Sequence, residues 1–301
     1  MAIGDQVTRP GHVQYGELLF GPGTPYRWKN LTGWEDLPAL DSGTVNRSDA
    51  HGAFPGLLLA QPRTIGLDGL IVRAPRASVG AVVGALSAGT APVVDELPFV
   101  AWIDERGPLL TYARAVRRAV PVGIGYRLGV IPDGAVEFQA SDSRRYELAE
   151  RTATATLPMD EQGLDWHADG QGAEQGLEWP LEFGEVGSTG SLEVTNHGGA
   201  ATHPVVIFRG PVTRPALTNL ATGDVLEYDI PLAVGDELEV DTRAGTVTLN
   251  GTASRLHTVS SRSVPEQTFT LAPGTTNLTF RAAPDSDPSG SVVVRYRSAY
   301  W

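Results

Sequence analysis

Apolar and polar residues alternate with a period of two along much of this chain, the spacing of half-buried strands. Between Pro62 and Pro75, Ile65, Leu67, Gly69 and Ile71 alternate with Gly66, Asp68, Leu70 and Val72, which predicts a strand. A helix follows: Val79, Val82, Val83 and Leu86 fall at i, i+3, i+4 and i+7, with Ser78 as N-cap and Gly89 as stop. Strand patterns resume at 98–103, 109–116, 122–130 and 135–140. In 148–157, Thr152, Thr154 and Thr156 face one way and Ala153, Ala155 and Leu157 the other. Residues 1–60, rich in Gly, Pro and aromatics, predict short strands and ordered loops.

From residue 178 the pattern is strands alone, recurring about every 8–12 residues between turn residues, the mark of a sandwich or barrel. Candidate strands lie at 177–183, 191–196, 203–210, 215–220, 225–230, 236–242, 246–250, 267–271, 277–282 and 291–300. The segment 236–251 reads as a hairpin with Leu238, Val240, Val247 and Leu249 inward. Between the halves lies an acidic, Gly/Gln-rich stretch. The expected organisation is therefore a mainly β chain: a β-rich domain with one short helix over 1–160, a connector over 161–177, and a β-sandwich over 178–301.

Composition narrows the function. Gly and Pro total 57 of 301 residues, which suits many short strands and turns. The absence of cysteine excludes a disulfide framework, a thiolate metal site and a Cys nucleophile. No signal peptide is visible, and the uncharged run 77–94 has too few large apolar residues to cross a membrane. A net charge of −12 argues against broad binding to phosphate backbones.

No motif points to catalysis. Ser87 in Ala85-Leu86-Ser87-Ala88-Gly89 lacks the first Gly of a nucleophile elbow and falls late in the helix. Gly123, Gly125 and Gly129 miss the spacing of a dinucleotide fingerprint. His12, His51, His167, His197, His203 and His257 form no ligand pair; Asp165, His167 and Asp169 read as a solvated acidic linker. Asp285-Ser286-Asp287 lacks the Gly and distal Glu of an EF-hand loop. The expectation is a protein with no catalytic, cofactor-binding or metal site and no cofactor.

The C-terminal half carries an ordered set of turn and strand signals: Asn196 with Gly198, Pro204, Gly235-Asp236, Val247-x-Leu249-Asn250-Gly251, Leu271-x-Pro273-Gly274, Asn277 to Phe280, and Tyr296-Arg297. This order resembles the distal tail (Dit) proteins of siphoviruses. His51-Gly52, Arg63-x-Ile65, Gly69 and the segment 138–148 add weaker likeness, with Ser141-Asp142-Ser143 where the family has Asp-Pro. The resemblance implies a galectin-like C-terminal sandwich and a structural, non-enzymatic role in the virion. That role is a ring, hexameric in the family, at the distal end of the tail tube. It serves as adaptor or hub for tail-tip, baseplate and receptor-binding proteins, with the tape-measure protein as a further neighbour. DNA would be met only in transit through the axial channel, with no membrane insertion, and the protein would be made in the host bacterial cytoplasm. The net charge suggests a channel lining that is acidic or neutral, without a belt of Arg114, Arg117 and Arg118. Two other classes stay open: a carbohydrate-binding sandwich using Trp166, Trp179 or Trp301, and an envelope-degrading hydrolase.

Overall fold

The alternation around residue 65 does form a strand, Arg63–Arg73, but its phase changes midway. Ile65 and Leu67 point into the core, as expected; beyond Gly69 the inward residues are Leu70 and Val72, not Gly69 and Ile71. The cause is a β-bulge. Gly69 has φ +62°, and the pairing to strand Val130–Ala140 skips a residue there, from Gly134–Leu70 to Ala135–Asp68. A bulge inserts one residue and so swaps the faces of everything after it.

In this computed structural model, residues 2–159, 187–284 and 286–301 are described. They divide into two compact units, 1–149 with 299–301, and 150–298. The expected boundary after residue 160 moves because strand Arg151–Thr156 pairs with Ser291–Tyr296 of the second unit. The predicted connector 161–177 and the strand at 177–183 lie outside the described residues.

The first unit is built on antiparallel strands in the order Leu18–Phe20, His12–Tyr15, Leu97–Trp102, Pro108–Ala119, Val130–Ala140, Arg63–Arg73 and Tyr26–Arg27. Its main core gathers Tyr15, Phe20, Trp34, Ile65, Leu67, Phe99 and Phe138. Phe99 and Phe138 meet edge-on, 5.1 Å between centroids. A smaller cluster of Val7, Val100 and Leu110 covers the opposite face of the central strands, so residues of both parities are buried there.

The helix runs Val79–Gly89 and buries Val79 and Leu86. Ser78 sits at its N-cap without capping it through its side chain. A Cβ on Gly89 would lie 2.5 Å from the Leu18 side chain, which would have to shift to make room for it. The predicted strand over 122–130 is not formed. Ile124–Leu128 is a short helical turn closed by Gly129 at φ +82°; Tyr126 packs against the core while Val122 and Ile124 remain exposed.

The second unit is a β-sandwich. One sheet orders Arg151–Thr156, Ser291–Tyr296, Val205–Arg209, Glu237–Asp241, Thr246–Leu249 and Ala253–Ser254; the other orders Ser191–Asn196, Gly274–Arg281, Ala216–Asn219 and Val225–Glu227. Both contribute to one core, including Val206, Phe208, Leu217, Leu226, Leu238, Leu278, Phe280, Val292 and Val294. Ala153 and Ala155 pack on it and Leu157 is buried, as the alternation required. The hairpin pairs Leu238 with Leu249 and Val240 with Val247, with Asn250 and Gly251 at positive φ in its turn. Residues 267–271 do not form a strand: Glu266–Thr268 is a 3-10 turn, and only Leu271 bridges to Thr202.

Candidate assembly surfaces

One polar node is buried in the first unit. Arg63 begins its strand with the side chain turned inward and is 1% exposed. Its Nε donates to Ser143 O (2.8 Å), and its Nη1 is shared among Gly33 O (2.7 Å), Trp34 O (3.0 Å) and Asp36 O (2.8 Å). One guanidinium thus ties two loops to the sheet. Burial and the neighbouring Arg145 charge pull its pKa down to about 10, still well above neutrality, so it carries its charge.

Arg145, also buried, lies over the Trp34 ring at 5.5 Å and pairs with Glu35 at 2.6 Å. It also donates to the Trp301 carbonyl, holding the end of strand Ala299–Tyr300 against Arg145–Glu147. Glu35 bridges Arg145 to Arg106. Burial alone would raise the Asp142 carboxyl; the Arg144 guanidinium and the Tyr146 hydroxyl outweigh it and hold the group below its ordinary value.

Two exposed apolar features stand out on the same unit. The first is an arm, residues 39–60. Its two short ladders, Leu40–Ser42 with Leu58–Ala60 and Val45–Asn46 with Ala53–Phe54, pair only with each other. Phe54 is 60% exposed, and Leu57, Leu58 and Leu59 are 81%, 67% and 62% exposed. The second is a concavity of about 510 Å³ lined by Arg76, Val122, Gly123, Ile124, Arg127 and Leu128. Val122 and Ile124 are 84% and 81% exposed. Contiguous exposed apolar surface of this kind marks interaction sites, whereas scattered single residues do not.

Arg114, Arg117 and Arg118 share one strand but have different surroundings within the chain. Arg114 and Arg117 stand opposite Gln139 and Glu137, and Arg117 joins Thr32, Thr64, Asp68 and Glu137 around a polar cleft of about 230 Å³. Arg118 instead reaches the helix C-terminus, donating to Ser87 O (3.0 Å) and Thr90 Oγ1 (2.7 Å). Residues 1–149 hold 15 acidic and 14 basic side chains, and residues 150–301 hold 20 and 9. The negative charge therefore belongs almost wholly to the second part of the chain.

In the second unit, Thr154, Thr156, Ser188, Thr189, Ser191 and Arg209 border a shallow concavity of about 570 Å³. It has no aromatic wall. The described aromatics of this unit, Phe208, Tyr228, Phe269, Phe280 and Tyr296, are all buried. Trp166 and Trp179 lie outside the described residues, and Trp301, about half exposed, belongs to the first unit. Glu227 is buried between Arg214 (2.9 Å) and Arg262 (3.1 Å), which pins the excursion 256–268 to the sandwich.

Ser87 offers its carbonyl to Arg118 from inside the helix, with none of the strand-to-helix turn an elbow needs. Gly123 precedes the short turn, Gly125 lies in it and Gly129 ends it. Asp165, His167, Asp169 and Asp285 lie outside the described residues. Among the described residues no three His, Asp or Glu side chains gather as metal ligands, and no helix is long and apolar enough to cross a membrane. The arm and the Arg63 node escaped the sequence reading. Their signals were the Leu57-Leu58-Leu59 run between glycine and proline residues, and a basic residue opening an apolar strand.

A helix-bearing antiparallel sheet unit and a β-sandwich define a mainly β protein, with exposed apolar side chains on the first unit. Residues 197–300 match the family model of the siphovirus-type tail component, C-terminal domain. A comparison with curated protein sequences finds no match. The crystal structure of SPP1 Dit (gp 19.1), described as a paradigm of the hub adsorption apparatus in phages infecting Gram-positive bacteria, superposes with a TM-score of 0.65 at 13% identity, covering 96% of this chain and 99% of that one. A chain of the phage P2 baseplate in its activated conformation with Ca gives 0.51 at 10% identity, covering 94% and 97%. The same baseplate with Sr gives 0.50 at 10% identity, covering 94% and 96%. The resemblance to distal tail proteins is thereby shown: by sequence over 197–300, and by fold along nearly the whole chain.

Proposed function

We propose that this protein is a structural component of a phage tail, forming a ring, hexameric in our reading, at the distal end of the tail tube. In this reading it is the hub to which tail-tip, baseplate and receptor-binding proteins attach, and the tape-measure protein is a neighbour during assembly. It is made in the host bacterial cytoplasm and resides in the virion. The observation that carries the proposal is the tail-component match at 197–300 together with a fold likeness to SPP1 Dit over 96% of the chain. Within it the first unit forms the ring, and the sandwich, galectin-like in our reading, is a separately folding domain that faces partners.

The charge distribution supports this division. A unit with 15 acidic and 14 basic side chains can line a channel that neither holds nor strongly repels DNA. Among the described residues of the sandwich no aromatic ring is exposed, whereas a sugar site needs an exposed ring above convergent polar groups.

The test is the mass of the purified full chain by sedimentation velocity at micromolar concentration, with negative-stain imaging. Closed rings of one size are expected. A strict monomer at high concentration, with no matching annulus in assembled tails, refutes the proposal.

A further inference from the structure

We propose that the arm, residues 39–60, of one copy seats in the Arg76/Arg127 concavity of a second copy, and that this contact repeats to close the ring. The inference rests on the ring reading above and gives it a specific interface.

The arm is built to be covered. Its ladders bond only to each other, residues 39–52 are all exposed, and Phe54 and Leu57 to Leu59 present apolar surface on both faces of the two-stranded ribbon. An isolated ribbon of this kind gains little stability by itself in water, so its apolar side chains point to an external partner. The concavity supplies the matching surface: Val122, Ile124 and Leu128 form apolar walls, and Arg76 and Arg127 stand at its border with Arg73 exposed nearby on the strand that pairs with Val130.

Charge selects the pairing. The arm carries exposed Asp41 and Asp49, while its one arginine, Arg47, lies over the Phe54 ring at 4.6 Å. The concavity carries arginines. Arm against arm would set two surfaces of net charge −1 (Asp41 and Asp49 with Arg47) face to face, and concavity against concavity would oppose guanidinium groups; arm against concavity sets a net negative surface against a positive one. Two unlike complementary patches on one chain make a heterologous, head-to-tail contact, the kind that generates a closed ring when the rotation closes.

Two sets of variants test this, each first checked for a wild-type melt. Arg76→Glu with Arg127→Glu, and Asp41→Arg with Asp49→Arg, should each weaken assembly at least tenfold by sedimentation velocity at low salt. The fourfold charge swap should restore rings. The chain has no cysteine. Leu58→Cys with Ile124→Cys should therefore, under oxidation, give a covalent series on a denaturing gel that runs up to the full ring. Either single cysteine should stop at dimers. If the wild type forms rings, both double charge variants form them equally well and the cysteine pair yields nothing beyond dimers, this interface is wrong while the ring reading stands. The interface is equally wrong if the concavity variant loses only binding to another tail protein or to anionic vesicles. If the wild type never assembles, the ring reading falls and takes this inference with it.

Discussion

Replacing Arg63 with methionine should destabilise the first unit strongly, although residue 63 touches no external surface. The guanidinium serves four backbone carbonyls, and two of them belong to the buried residues Trp34 and Ser143. Each buried acceptor left without a donor costs about 1–3 kcal/mol, so the pair accounts for about 2–6 kcal/mol. Part of this is offset. Arg63 Nη2 is buried without a hydrogen-bond partner, and a neutral side chain escapes the burial cost that pulls the arginine pKa down. A net loss of about 2–4 kcal/mol remains. For a unit of this size each kcal/mol moves Tm by roughly 2–4 °C, so a drop of about 5–15 °C is expected. Differential scanning calorimetry with near-ultraviolet circular dichroism reads it, since Trp34 packs directly on this node. Arg63→Lys should lose most of the same stability, because a single ammonium cannot span acceptors on two loops. A methionine variant within about 0.5 kcal/mol of wild type, or a lysine variant equal to it, would refute the reasoning.

The Asp142 and Glu35 carboxyls are both held below their ordinary values: burial raises each, and the arginines beside them more than reverse it. A depressed folded pKa stabilises the fold above about pH 4 and loses that contribution as pH falls through the folded value; Asp142→Asn should therefore lower stability at neutral pH and flatten the acid limb of a denaturation-against-pH curve. Arg118→Ala should shift the urea midpoint by an amount equivalent to about 1 kcal/mol, since it removes the donor at the C-terminus of helix Val79–Gly89. A fragment of residues 150–298 should melt cooperatively by circular dichroism. A fragment starting at 178 should not, because without Arg151–Thr156 the strand Ser291–Tyr296 loses one of its two neighbours and becomes an uncovered edge.

Local spacing was enough for the elements whose period agrees with their burial. Val79, Val82, Val83 and Leu86 specify one helix stripe, and Thr152 to Leu157 specify one strand face; each element buries a single side against a core, so its own residues settle which side that is. Turn chemistry was equally legible: Asn250-Gly251 closes a hairpin that Leu238, Val240, Val247 and Leu249 align. The resemblance to distal tail proteins came from the order of such signals, and the family match at 197–300 falls where those signals are densest.

Everything that depends on neighbours distant in the chain had to wait for the folded molecule. The bulge at Gly69 reversed the faces of a strand whose alternation looked regular, because register is set by the partner strand. Residues 122–128 have a strand's composition but form a helical turn that packs Tyr126 on the core, leaves Val122, Ile124 and Leu128 exposed and ends on a left-handed Gly129, from which Val130 enters the sheet. The division after residue 149 follows from strand Arg151–Thr156 pairing with Ser291–Tyr296, more than a hundred residues away. The same holds for the exposed apolar surfaces. An apolar run such as Leu57-Leu58-Leu59 reads as core in any sequence; only the fold, which leaves it in solvent on a ribbon bonded to itself, shows it to be surface.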